Sequence, residues 1–506
     1  MSRKPNETAG QAPGDLFLQV QQLLAAGRMA EADPLLETLA KTLRRQTTAV
    51  DECAFYNLGV LFRTRGDLRA ARDFFERAVR RQPRDSRFQS ALGNVLRAAG
   101  HTAEATVVYQ RALMIDPDNV MILSNLGYLL ARQGQLAEAI ELFSRALALV
   151  PEDSKEYSFI RRNRYHAIFR MGDFGTGFAE AECRLDLPDY RSLFSWVEHI
   201  PRWQGETFAG KSLLVHHEQG FGDAIQFVRY LPDIRERCDA GSQIILTTEQ
   251  PLLRLFTGLP GVDRLIKHSQ ASIAAAAADL RVSVLSLPAL LGPRPELGAN
   301  AFYIPDTFPY LSVKKEWRAA WCGRIGQETP QVNETRELRV GLVWAASSQH
   351  QGEQLEGRSC GLQALAPLAA VPGVVFYSLQ KGEAAPTATD IPAGMTLRDH
   401  TADITDFADT AALIAELDLV LSVDTSVAHL AGALGKPVWT LLPFDQNWRW
   451  VSGQTDTWWY PAMRLFQQEK PGEWKPVIRR VCRELTALQR SFSAAERQRR
   501  EDVEIL

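Results

Sequence analysis

A chain of 506 residues, 45% hydrophobic and 23% charged, holds material for two or three ordinary globular domains. Its formal net charge of −3 implies no general affinity for nucleic acid or for an anionic membrane. Six cysteines (Cys53, Cys183, Cys238, Cys322, Cys360 and Cys482) lie far apart without paired spacing. Neither a disulfide framework nor a zinc site is indicated, and a reducing, cytoplasmic setting is expected.

The first residues, MSRKPNETAGQAPGD, lack an apolar core of the signal-peptide kind, and residues 1–14 read as a disordered leader. Residues 15–190 read as a helical repeat array. Gly59, Gly93 and Gly127 share a 34-residue period with Ala71, Ala105 and Ala139 and with Pro83, Pro117 and Pro151. Small Gly and Ala suit the places where two antiparallel helices touch, and Pro opens the break before the next pair. Each pair leaves an apolar face that only a neighbouring pair covers. Weaker units at Leu16–Leu39 and Tyr157–Cys183 are expected to cap the stack. The pattern resembles the tetratricopeptide repeat, and that resemblance implies a concave surface for a peptide or protein. A structural spacer and a surface for homo-oligomer formation are the other uses of such a stack. The one D-x-D, Asp116-Pro117-Asp118, falls in a repeat turn and is no metal–diphosphate site.

After Pro201 the pattern changes to buried-strand runs alternating with helical ones, which argues for βα units around parallel sheets. Residues 200–325 form the first such half. It begins with the strand Lys211–His217, the turn Glu218-Gln219-Gly220-Phe221-Gly222-Asp223 and the helix AIQFVRYLPDI. Later strands are expected at Ile244–Thr247 and Val282–Leu287. The apolar-looking stretch Ala271–Gly292 is broken by Asp279, Arg281 and Pro288, so no membrane span is expected. Gly323–Glu337 is polar, poorly patterned and expected to link two halves. Residues 337–490 form the second half. Its strands are expected at Leu338–Ala345, Val374–Leu379, Leu417–Val423 and Val438–Leu442, with helices at Asp406–Leu417 and Val427–Leu434. Gly435 is placed to cap the second helix and Pro437 to stop it. Leu485–Glu504 reads as a charged helix packing back across the halves, with residues 491–506 as its tail.

Two turns carry the chemistry. Asp424-Thr425-Ser426 opens a helix at the end of a buried strand, where free N–H groups and the helix dipole make a phosphate site. Many such turns bind nothing. In Gly220-Phe221-Gly222-Asp223, two glycines let the backbone approach a ligand closely. Asp223 either caps the next helix or faces the cleft, and both roles are compatible. The full G-x-G-x-x-G of a dinucleotide site is absent, because Ile225 fills the last position.

The segment D-T-S-V-A-H-L-A-G-A-L-G-K-P resembles the D-T-G-x-x-H-x-x-x-A-x-x-x-P segment of the heptosyltransferase-like (family 9) glycosyltransferases. With the flanking WRW and WYP words, it is similar to bacterial proteins that join tetratricopeptide repeats to such a domain. The resemblance implies an α-solenoid followed by a GT-B fold of two Rossmann-like α/β halves. It further implies a metal-independent, inverting transfer from a nucleotide-sugar donor to an acceptor hydroxyl. Asp223 matches the proposed general base. Asp424, Thr425, Ser426 and His429 match the donor diphosphate site, with Ser426 departing from the usual Gly. Arg358, in the loop Ala346-Ser347-Ser348-Gln349-His350 to Ser359, matches a basic residue that neutralises the diphosphate. Its other reading is a solvated surface charge. Gly220, Gly222, Gln380, Lys381 and Arg449 are further candidate contacts. Trp448, Trp450, Trp458, Trp459 and Tyr460 are sugar-stacking or core residues. The rival reading is a repeat scaffold whose transferase fold has lost its chemistry, with Ser426 and the loop before Arg358 in its favour.

Overall fold

The computed structural model describes residues 13–45, 53–293, 302–328, 336–346, 357–382, 384–385 and 390–504. They fall into two compact units, Met1–Ala167 and Ile168–Leu506.

The first unit is a run of antiparallel helix pairs: Pro13–Ala25 with Met29–Arg45, Ala54–Arg65 with Leu68–Arg81, Ser86–Ala98 with Thr102–Ile115, and Val120–Arg132 with Leu136–Leu147. The glycine period has a direct cause. A Cβ on Gly59, Gly93 or Gly127 would lie 2.6, 2.6 or 2.9 Å from the ring of Phe75, Tyr109 or Phe143 on the paired helix. Each ring therefore fills the space that a side chain would need, and the two helices close to backbone distance. Asp67, Asp85 and Asn119 cap the helices that follow them through side-chain bonds to Ala70, Arg87 and Ile122 N–H.

The helix Lys155–Arg170 crosses the division between the units, and the Phe174–Ala181 helix belongs to the second. The sequence reading carried the repeats to residue 190. Here Phe174 and Phe178 instead pack on Trp459 and Phe302, with ring centroids 5.1 and 5.4 Å apart. This apolar surface is used inside the second unit.

That unit holds two all-parallel sheets. The first contains β1 (Ser212–His216), β2 (Gln243–Thr248), β3 (Arg264–Lys267) and β4 (Leu280–Ser283) in the order β3-β2-β1-β4. The second contains β5 (Leu338–Val343), β6 (Val374–Ser378), β7 (Leu397–Asp399), β8 (Leu419–Val423), β9 (Val438–Leu442) and β10 (Met463–Gln467) in the order β10-β9-β8-β5-β6-β7. Strand order reverses between β1 and β4 in one sheet and between β5 and β8 in the other, where open α/β sheets hold ligands. These are the two Rossmann-like halves expected of a GT-B fold.

The Lys315–Glu328 helix occupies part of the stretch read as an irregular link. The chain before it caps the second half, since Tyr310 and Leu311 N–H both donate to Ala433 O at 3.2 Å. Helix Trp474–Glu504 lies on the six-stranded half, through an Arg464–Glu484 ion pair of 3.2 Å and the Arg336 guanidinium 4.8 Å from the Phe492 ring. Among the described residues no helix is long and apolar enough to cross a membrane.

Substituting Gly93 by Ala drives a methyl into Tyr109, an overpacking that costs about 1–3 kcal/mol. Urea unfolding monitored in the repeat unit is expected to shift to lower denaturant. An unchanged midpoint would contradict the ring-against-glycine contact.

Candidate functional site

β8 is buried along its whole length and ends at the reversal point of the six-stranded sheet. Asp424 follows it, and Thr425 takes an extended backbone as N-cap of the Ser426–Ala433 helix. Thr425 Oγ1 lies 3.1 Å from Ser422 Oγ and makes no side-chain cap bond to the helix. Among the described residues the Ser426 and Val427 amides have no hydrogen-bond partner, so two donors stay aimed out of the helix start. The other end is closed as expected. Gly435, at φ 70°, allows its own N–H to reach Gly432 O and Lys436 N–H to reach Ala431 O, both at 3.0 Å.

The second turn meets this one directly. A Cβ on Gly222 would lie 3.0 Å from His429 Cδ2 and 3.6 Å from Ser426 Cα. Gly222 is therefore the small residue that lets the Phe221–Phe227 helix of the first half cross the Ser426–Ala433 helix of the second. The turn itself is tight: Gln219 sits at φ 62°, a left-handed position for a non-glycine residue. That conformation costs on the order of 1 kcal/mol.

Asp223 lies at this crossing with its side chain 12% exposed. Its Oδ2 accepts from Gly220 N–H at 2.9 Å, closing the first turn of its own helix. Its Oδ1 accepts from Arg449 Nη2 of the other half. Arg449 is fully engaged: Nε donates to Gln226 Oε1 at 2.6 Å, Nη1 donates to Asn447 Oδ1 at 2.9 Å, and the guanidinium lies 4.2 Å from the Trp448 ring centroid. Burial lowers the Arg449 guanidinium to about 10, with Tyr460 opposing, so it keeps its charge at neutral pH. A second arginine also ties the halves. Arg229 donates to Trp459 O at 2.8 Å and Pro305 O at 2.6 Å, with its guanidinium 4.6 Å from the Phe308 ring.

His429 is interior. Its Nδ1 is 2.9 Å from Tyr460 Oη, its ring stacks on Trp450 at 5.7 Å, and its Nε2 is 3.9 Å from Asp424 Oδ1. Burial pulls the imidazole down to about 3, so it is neutral at pH 7. It supports the helix crossing and adds no positive charge to a diphosphate.

The remaining candidates divide. Gln380 Oε1 accepts from the Trp344 and Ala345 amides at 3.1 and 2.9 Å, capping the end of β5. Lys381 Nζ donates to Thr401 O at 3.0 Å and also to Ile404 O. Both side chains are occupied by backbone. Arg358 is half-buried, and its neighbour Ser359 accepts from Ala346 N–H at 3.1 Å beside the end of β5. Among the described residues Arg358 has no ion-pair partner. Ser347 to His350 lie outside the described residues. Trp450, Trp459 and Tyr460 are core, at 0–1% exposure, whereas Trp458 is 63% exposed.

Sequence reasoning missed Gln226, Asn447 and the buried cluster beneath β1. There Glu218 accepts from Arg184 at 2.8 and 3.0 Å and also takes the Ser283 hydroxyl. Burial pushes Glu218 up, but the Arg184 guanidinium overcomes it and holds the carboxyl below the ordinary range. A charged residue at the end of an apolar strand was the available signal. Among the described residues, no three His, Cys, Asp or Glu side chains are grouped as metal ligands.

Residues 17–86, 56–120 and 96–159 match tetratricopeptide repeat families, and residues 372–446 match glycosyltransferase family 9 (heptosyltransferase). The chain joins tetratricopeptide repeats to a family 9 glycosyltransferase domain. The matched family 9 segment runs from β6 past β9 and contains Asp424 to His429, while Asp223 and Arg449 lie outside it. Protein FlbA of Caulobacter vibrioides is 28% identical over an alignment of 365 positions, and the match covers 67% of this chain. The chain spans 56% of the length of that relative. Among solved structures, the thermophilic repeat protein TTC0263 of Thermus thermophilus is 23% identical over 36% of this chain and 97% of its own, with a TM-score of 0.28. MamA of AMB-1 is 20% identical over 35% of this chain and 92% of its own, with a TM-score of 0.29. Those two likenesses bear on neither the site nor its activity.

His216 and His217 share the fate of His429, with burial pulling them to about 3 and about 4. An unfolded histidine titrates near 6.5, so below that pH the unfolded chain binds protons that the folded chain refuses. Stability in the second unit is expected to fall as pH drops below 6.5, before the carboxylates titrate. Each such histidine contributes at most about 1.4 kcal/mol per pH unit. Urea midpoints at stepped pH test this, with His429→Gln giving a shallower slope. A slope unchanged in that variant would contradict the neutral, buried imidazole.

Proposed function

We propose that this chain is an inverting glycosyltransferase that needs no metal ion, moves a sugar from a nucleotide-sugar donor to an acceptor hydroxyl, and uses its repeats to hold a protein acceptor or partner. One observation carries the reading: the turn bearing Asp223 and the turn bearing the free Ser426 and Val427 amides meet at Gly222, where an added Cβ would lie 3.6 Å from Ser426 Cα. Base and leaving-group site therefore share one point between the halves.

The chemistry follows from that junction. A nucleotide diphosphate at the start of the Ser426–Ala433 helix meets two N–H donors and the positive end of the helix dipole. Arg358 lies beside the neighbouring strand end, and a guanidinium there would neutralise phosphate oxygens bidentately. An ionised carboxylate offers about four lone-pair sites. Gly220 N–H and Arg449 use two at Asp223, leaving acceptor sites for a hydroxyl. The acceptor oxygen attacks the anomeric carbon and its proton passes to Asp223. The bond to the diphosphate breaks, with its electron pair leaving on phosphate oxygen. Attack opposite the leaving group inverts the centre. Arg449 is a positioning residue here, since its hydrogen bond holds the Asp223 carboxylate in place.

The closeness of Arg449 also favours a second reading, in which the ion pair has sealed Asp223 and the domain survives as a scaffold. UDP-, GDP-, ADP-, CMP- and dTDP-sugars, followed by thermal stability, separate the two. A live donor site binds one of them and stabilises the fold by about 2.7 kcal/mol at a hundredfold excess over Kd. Asp223→Asn should keep that stabilisation and lose about a hundredfold or more in turnover with the accepted donor. No stabilisation by any nucleotide sugar, or full turnover in Asp223→Asn, would overturn the enzymatic account.

A further inference from the structure

The turn before Asp223 puts its left-handed residue where no glycine stands. Gln219 is at φ 62°, while Gly220 is at φ −88° and Gly222 lies within the helix that follows. Left-handed backbone favours glycine, because a Cβ crowds the following carbonyl there. Among the described residues the one other non-glycine at positive φ is Ala277, and it caps the end of a helix, where that conformation is common. Gln219 ends no helix; it follows β1.

Its neighbours hold it in that conformation. His217 N–H donates to Thr247 Oγ1 at 3.0 Å, and the His217 ring Nε2 lies 3.0 Å from Gln219 O. Glu218 accepts from Arg184 at 2.8 and 3.0 Å and from the Ser283 hydroxyl. On the other side, Gly220 N–H donates to Asp223 Oδ2 at 2.9 Å. Between these anchors the Gln219 side chain is exposed and makes no hydrogen bond among the described residues. The turn faces the other α/β half, since Phe221 packs edge-on against Phe407 with ring centroids 5.2 Å apart. The surroundings thus impose strain on a residue whose side chain does nothing for the fold, which is the mark of a functional position.

We propose that the Gln219 side-chain amide binds the acceptor beside the hydroxyl that Asp223 deprotonates, and so selects which acceptors are used. The inference rests on the reading of Asp223 as the base, and it adds acceptor recognition to that site. An amide donates through its N–H groups and accepts through its oxygen, which matches a neighbour that does both. It carries no charge, so it suits a hydroxyl or a peptide group, whereas a diphosphate calls for cations. A sugar presents a second hydroxyl beside the one that attacks, and a serine or threonine presents a peptide group. Both are an alcohol with a hydrogen-bonding neighbour.

The test uses the full chain, the nucleotide sugar that stabilises it, and three kinds of acceptor probe: methyl hexopyranosides, the N-acetyl methylamides of serine and threonine, and ethanol, which has no polar neighbour. One of the first two kinds is expected to be used at least tenfold better than ethanol, and which one it is tells sugar from side-chain hydroxyl. Gln219→Ala is expected to raise KM for that probe about tenfold with a smaller change in kcat, and to narrow its advantage over ethanol. Gln219→Gly is expected to do the same without lowering the urea midpoint, since glycine suits φ 62°. Stabilisation by the donor is expected to persist in both variants. An unchanged KM in both variants would overturn the proposal. So would a lowered midpoint in Gln219→Gly, which would make the side chain a support of the fold, or loss of donor stabilisation, which would assign it to the donor. Donor hydrolysis without preference for any probe over ethanol would overturn it while leaving the transferase reading intact. No stabilisation by any nucleotide sugar would overturn both.

Discussion

The candidate site depends on one buried ion pair, Asp223 with Arg449, formed between residues 226 positions apart in sequence and supplied by different α/β halves. Asp223 closes the first turn of a helix that follows β1. Arg449 follows β9 and is held by Gln226 on that same helix and by Asn447 beside it. Taking either charge from water is costly, and removing one partner of such a pair typically costs about 3–5 kcal/mol, because the other is left buried alone. The pair therefore serves less as a source of net stability than as a device of registration. It fixes which residues of the two halves face each other, and so where the donor amides of Ser426 and Val427 lie relative to the carboxylate.

Packing and electrostatics cooperate in that registration. Gly222 gives the space in which two helices from different halves cross, and the neutral His429 ring fills the opposite side of the crossing. Gly432 repeats the device one turn further on, where a Cβ would lie 2.5 Å from Tyr460 Cδ1. Tyr460 in turn holds His429 Nδ1, and Arg229 lies under Phe308 and Tyr310 while bonding to Trp459 O. Aromatic residues that read as possible sugar platforms thus form the wall against which the crossing is set. The positive charge at the junction comes from helix amides and guanidinium groups, not from histidine.

Much of this was legible in the sequence for identifiable physical reasons. Val438–Leu442 and Leu419–Val423 are continuous apolar runs ended by turn residues, so their strands emerged within a residue or two. The glycine period revealed the repeats because close helix contact tolerates no side chain, although the ring opposite each glycine changes identity between Phe75, Tyr109 and Phe143. Strands β3, β7 and β10 stayed hidden. They are edge strands of three to five residues with charged members such as Arg264, Arg398 and Arg464, and alternation is unreadable at that length. Gln380 and Lys381 looked like ligand contacts because they end a strand at the right edge, yet that edge also leaves backbone groups needing partners, and these side chains satisfy them. The partner of Asp223 was not legible at all. Nothing local marks Arg449 as facing a carboxylate in the other half, since that pairing arises only when the halves close.

A double-mutant cycle between Asp223→Asn and Arg449→Gln, read by urea unfolding of the second unit, tests this account most directly. If the pair registers the halves, the two substitutions are coupled by about 1–3 kcal/mol, and the double variant is more stable than the sum of the single losses predicts. A coupling within about 0.5 kcal/mol of zero would mean that the two residues act independently. The junction would then have to be held by the aromatic wall and the Gly222 crossing alone.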